Sequence, residues 1–164
     1  SYHFFRDLGD KGLNIIFSVV EISVLIILLS PPLFLQSNLV LLALTIVSIV
    51  IASLLFFIFN VLMGMIAFWS GEVWAPRFIF NILLVFLSGS MFPLDILPKS
   101  IFTVFQFLPF AYMLYFPVKI YLGQLTISAI GLGMGTGIMW IILLIGIERL
   151  IWIRGIKEYT ATGR

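Results

Sequence analysis

The chain has no cysteine and only one histidine, His3, in 164 residues. Without cysteine there is no disulfide framework, thiol nucleophile or thiolate metal site, and one imidazole cannot build a metal cluster or a catalytic set alone. Charge is the second scarcity. Asp, Glu, Lys and Arg make up 10% of the residues, whereas soluble domains carry about 25%, and apolar residues make up 62%. The charges also leave long gaps, with none between Glu21 and Glu72 and none between Lys119 and Glu148. Helices that face water cannot be built from such runs. The net charge of +2 does not point to nucleic acid, because the basic residues stand at the ends of apolar runs, where they orient a membrane protein. The opening residues lack the basic-then-apolar order of a secretory signal.

A helix needs about 20 mostly apolar residues to cross the hydrocarbon layer, and the long runs meet that requirement. The reading is an all-α integral membrane protein. It has four transmembrane helices, over about 13–30, 38–59, 78–93 and 126–148, in a single transmembrane domain. The first span is stopped by Ser30, Pro31 and Pro32, since proline lacks the amide proton a continuing helix needs. The second is expected to end near Phe59, with Asn60 and Gly64 marking a kink or an interfacial extension. Ser70, Gly71, Glu72, Trp74, Pro76 and Arg77 form a polar turn with interfacial tryptophans.

Between the last two spans, Pro93, Asp95, Pro98, Pro109 and Pro117 break up an otherwise apolar stretch. No unbroken run there is long enough to cross. Residues of about 97–120 are therefore expected to form a Pro-bounded re-entrant helical pair that dips into the membrane from outside. The charge distribution agrees. With four spans, Arg6, Lys11, Arg77, Arg149, Arg154, Lys157 and Arg164 share one side, and only Lys99 and Lys119 lie on the other. Cytoplasmic loops hold the excess of Lys and Arg, so both ends are expected in the cytoplasm, at the plasma (inner) membrane.

Few residues offer chemistry. Glu21 sits inside the first span, where an ionisable group costs at least about 2.5 kcal/mol and therefore faces a partner or a polar cavity. Two readings are open for it: a carboxyl hydrogen-bonded to another helix, at Asn60 or a serine, or a contact on a substrate pathway with Asn60. Gly131, Gly133, Gly135 and Gly137 contain a GxG, but no strand precedes it and no acidic residue follows at dinucleotide spacing. Gly131 with Gly135 is a GxxxG pair suited to close helix packing. Asp95 between Pro93 and Pro98 is placed to cap the next short helix, and the segment could also form an outer gate, since irregular backbone at membrane depth is tolerated against protein or a water-filled cavity. Most phenylalanines are expected to face lipid or pack between helices. No paired carboxylates, Ser, His and Asp set or metal cluster suggests an enzyme.

The run from Phe86 to Gly123, FLSGSMFPLDILPKSIFTVFQFLPFAYMLYFPVKIYLG, resembles the permease subunits of type-2 ATP-binding-cassette exporters. The matching elements are Ser88-Gly89, Pro93-Leu94-Asp95 leading to Pro98, Leu108-Pro109-Phe110, Pro117 and Leu122-Gly123, then Glu148-Arg149 and Trp152 to Gly155. The resemblance implies six spans with re-entrant helices between the fifth and sixth. This chain, opening on Ser1, would be the carboxy-terminal four-span portion, lacking an amino-terminal surface helix and two spans. It further implies export by alternating access, powered by a separate ATPase subunit, since no GxxxxGK[ST] phosphate loop is present. ATP would be used by that partner and no cofactor held here. A second permease, identical or related, would complete the pathway. Phe5, Arg6 and Asp7, with Glu72 and Arg77, are the expected contacts with the ATPase. The alternatives are a fragment of an ion-gradient-driven secondary transporter, which would use carboxylates near the membrane midplane, and a non-transport membrane assembly protein.

Overall fold

A computed structural model describes residues 17–30 and 34–158, and the chain divides into two compact units, Ser1–Leu35 and Gln36–Arg164. Phe5, Arg6 and Asp7 lie outside the described residues. In the first unit, helix α1 (Phe17–Leu29) is apolar. It ends where Ser30 turns into the left-handed region at φ 41°. Ser23 returns its hydroxyl to Val19 O at 2.7 Å, so that polar group is satisfied within the helix.

The second unit holds the packed core. Helix α2 (Leu39–Met65) starts at Asn38, whose side chain accepts from Val40 N at 2.9 Å and Leu41 N at 3.4 Å. Two of the amides that a helix start leaves unpaired are thereby satisfied. The helix does not stop at the expected span boundary near Phe59. The helix runs on to Met65 and tightens into a 3-10 turn at Ile66–Phe68. Asn60 does not kink it, because its amide donates to Phe56 O at 2.9 Å along the same helix, while Leu62 and Met65 beyond it are buried.

Helix α3 (Trp74–Leu87) begins before the expected span and stops well short of Pro93. Gly89, at φ +82°, takes the left-handed position that commonly terminates a helix. A Cβ there would meet Leu94 Cγ at 3.2 Å and Tyr115 Cβ at 3.4 Å, so the chain turns tightly. A 3-10 turn at Leu94–Ile96 leads into α4 (Lys99–Phe107), followed by a 3-10 turn at Pro109–Tyr112 and α5 (Tyr115–Tyr121). The last helix, α6 (Ile127–Glu158), has 32 residues and continues without a break through the basic tail, past the expected end near residue 148.

The described residues are helical with no strand. Two stretches, Leu39–Phe68 and Ile127–Lys157, are long and apolar enough to cross a membrane, and α1 and α3 are shorter apolar helices. Residues 99–107 and 109–121 form a pair bent by 75°, in the place of the expected re-entrant pair.

Close contacts fix the directions of the helices. A Cβ at Gly137 would meet Ile51 Cγ2 at 2.9 Å, and one at Gly155 would overlap the Phe68 ring. Later residues of α6 therefore meet later residues of α2, and the two helices run parallel. Helix α3 returns along α2: the Phe80 and Phe59 rings stack at 5.1 Å, and Arg77 lies against Gly64. The main core joins Ile51, Leu55, Ile58, Leu62 and Met65 of α2 to Leu144 of α6.

The bent pair occupies the half of the bundle where α2 and α6 begin. At its tip, Phe110 stacks on Phe59 at 5.4 Å, and the Trp140 indole donates to Phe107 O at 2.9 Å. Trp140 lies about 20 Å along α6 from Ile127 at 1.5 Å per residue. At the other end of the pair, Gln36 Nε2 donates to Tyr121 O at 2.8 Å. The segment thus dips into the bundle and returns.

Candidate functional site

Where α3 ends and α5 lies across α2, the helices line an open cavity of about 700 Å³. Its walls are mainly apolar and include Ile49, Phe56, Leu84, Met113 and Pro117, with hydroxyls at Thr45, Ser53, Ser88 and Ser90. Thr45 and Ser53 donate to the backbone of their own helix, to Leu41 O at 2.7 Å and Ile49 O at 2.8 Å. Their oxygens keep acceptor capacity while the donors cost nothing in an apolar setting. Such a space suits an apolar body with few polar groups.

One wall of the cavity is α5, and the position of α5 is fixed from outside. Tyr115 N donates to Ser88 O at 3.0 Å, tying the start of α5 to the end of α3. The Tyr115 hydroxyl donates to Asp95 Oδ1 at 2.5 Å, and Lys119 Nζ pairs with Asp95 Oδ2 at 2.5 Å. Tyr115 and Lys119 are one helical turn apart, so both reach the same carboxylate. Lys119 also donates to Gln124 Oε1 at 2.5 Å and sits 5.4 Å from the Tyr115 ring centre. Desolvation alone would raise the Asp95 carboxyl, but hydrogen bonds from Lys119 and Tyr115, with the Lys119 charge, outweigh it and hold the pKa below its ordinary value. The carboxylate is the hinge pin of a latch between the Pro-bounded turn and α5.

Asp95 does not cap the following helix. Pro98 occupies that position with no side-chain cap bond, because the Asp95 oxygens are turned to α5. Of the other prolines, Pro93 and Pro98 are exposed at the turn, while Pro109 at the tip and Pro117 in the cavity wall are buried. Asn60 is half-buried and outside the cavity lining, and Glu21 is exposed on α1. Glu72 is exposed in the loop before α3, with its N donating to Ser70 Oγ at 3.3 Å, and Arg77 is exposed one turn into that helix.

The sequence reading missed Tyr115, Lys119 and Gln124. One signal was present: between Arg77 and Glu148 the only charges are Asp95, Lys99 and Lys119, so Asp95 had few possible partners. The glycines also differ from expectation. A Cβ at Gly131 or Gly135 would meet nothing within 4 Å, whereas one at Gly133 would overlap the Phe116 ring. The close-packed pair is Gly133 with Gly137, because that face of α6 meets α5 and α2.

A helical bundle with an apolar outer surface, two helices of membrane-crossing length and a bent pair dipping between them defines a multi-pass membrane protein. Residues 7–163 match a family model described as ABC-2 family transporter protein. The chain belongs to that family, as a membrane permease of ATP-binding-cassette transporters, and membership implies an ATPase partner. No curated protein and no solved structure matches it.

Proposed function

We propose that this permease is the membrane-embedded part of an exporter that is driven by a separate ATPase subunit and works by alternating access with a second permease. The observation that carries the reading is the family match across nearly the whole chain, bent pair included. In this reading four spans cross the plasma membrane and the ends of the chain lie in the cytoplasm. The Asp95 latch and Pro93, Pro98, Pro109 and Pro117 form an outer gate. Glu21 and Asn60 belong to the substrate pathway, and the apolar cavity lined by Thr45, Phe56 and Pro117 suits a cargo with a large apolar part. ATP binds to the partner, and this chain holds no cofactor and catalyses no reaction itself.

The surface that meets the ATPase comprises Phe5, Arg6, Asp7, Glu72 and Arg77. Since the sequence has no cysteine, single thiols can be placed in the full-length protein by Arg6→Cys and Glu72→Cys and crosslinked to co-expressed ATPase subunits. A specific adduct at either site, with ATP hydrolysis that depends on the permease, is the expected outcome. An ATPase that binds with neither site within crosslinking reach would move the contact elsewhere. If no ATPase bound at all, the powered-transport reading would fall.

A further inference from the structure

The end of the bundle away from the latch carries a second feature. From Ile127 to Ile147 helix α6 is uncharged, a length of about 31 Å at 1.5 Å per residue, which equals about one hydrocarbon thickness. The remaining turns, from Glu148 onward, therefore project past the hydrocarbon. Helix α2 projects with them, since Phe68 packs on Gly155 and its ring meets Trp152 at 5.6 Å.

The projecting part of α6 has two faces. Gly155 is buried against α2, and Glu148 and Ile151 are half-buried on the same side. The opposite side presents Arg149, Arg154 and Lys157, all exposed, interleaved with Leu150, Ile153 and Ile156 at 61%, 54% and 51% exposure. Arg77 stands at the same level, beside Gly64. No ion pair joins these four cations to a carboxylate among the described residues, where the Asp95 pair is the one salt bridge. Trp74 and Trp152 are exposed at the same end. Water would leave the isoleucines and leucine uncovered, and hydrocarbon would strand the guanidinium groups. An interface of acyl chains below and phosphate above satisfies both.

We infer that Arg149, Arg154 and Lys157 form a collar that binds the headgroups of anionic phospholipids, the apolar residues between them resting on the upper acyl chains. Charge complementarity favours this occupant over neutral lipid, and basic residues close to an anionic leaflet each add to the attraction. The proposal does not depend on the ATPase. It concerns the permease alone, in whichever leaflet this end faces.

The test is the thermal unfolding midpoint of the purified full-length permease in nanodiscs, either of zwitterionic phosphatidylcholine alone or with a third of the lipid replaced by phosphatidylglycerol. The anionic lipid is expected to raise the midpoint by about 5 °C or more. The triple variant Arg149→Gln, Arg154→Gln, Lys157→Gln is expected to lose that gain, and Lys99→Gln, at the opposite end, to keep it. Arg149→Lys with Arg154→Lys should also keep it, which guards against a merely misfolded triple variant. Equal midpoints in the two lipids would overturn the proposal, as would a gain that survives in the triple variant. A lipid-independent midpoint together with loss of the Glu72→Cys adduct in the triple variant would assign the collar to the ATPase instead.

Discussion

Asp95 is held by groups on another helix, and that makes its charge a reporter of the latch. Its pKa is depressed in the folded chain, so the stabilisation is fully present above the ordinary carboxylate value of about 3.9 and is lost as pH falls through the lower folded value. The side chain is 45% exposed, and screening limits the effect to about 1 kcal/mol or less. Amide-exchange protection factors at Leu94–Leu97, corrected for intrinsic rates, are expected to be steady near neutrality and to drop in acid. Asp95→Asn should lower protection at neutral pH and abolish the acid step. An acid step of unchanged size in that variant would mean that another group titrates. The acidic residue was visible in the sequence at once. Its partner was not, because only a chain that dips and returns brings Lys119 back to the turn.

At the scale of the helix, α6 divides its glycines between two faces, and their substitutions should separate accordingly. Gly133→Ala would push a methyl group into the Phe116 ring and Gly137→Ala would crowd Ile51, with overpacking costs of about 1–3 kcal/mol each. Gly131→Ala and Gly135→Ala enter open space and should stay within about 0.5 kcal/mol of the parent. Thermal unfolding in one detergent checks all four, and equal losses at both pairs would refute the facing assigned to α6. Spacing alone offered both pairs, since each satisfies the same small-xxx-small pattern. Only the rotation of the helix against α2 and α5 distinguishes them. Hydropathy similarly revealed where apolar helices lie but not where each helix ends: α2 passed Asn60 because that amide bonds its own backbone, and α3 stopped before Pro93 because Gly89 could turn left-handed.

For the whole molecule, the parallel course of α2 and α6 constrains the path between them. Helix α3 makes the one return, and the bent pair begins and finishes on the same side. Glu72→Cys and Lys99→Cys should therefore react with a membrane-impermeant maleimide from opposite faces of sealed vesicles, and Lys99→Cys and Gln124→Cys from the same face. Labelling of Lys99→Cys and Gln124→Cys from different faces would show that the pair crosses. This arrangement was legible from proline positions and the placement of basic residues, whereas the cavity was not, because it depends on the angle at which α5 lies over α2. The same parallel course also imposes an order of events during synthesis. Helix α2 emerges long before its principal neighbour α6, with all of α3 and the bent pair made in between, a wait on the order of several seconds at ribosomal rates. Through that interval α2 must persist in lipid without its mate. It is equipped to do so, since Thr45 and Ser48 spend their hydroxyl protons on Leu41 O and Thr45 O, both at 2.7 Å, and leave no unmet donor to recruit a wrong neighbour.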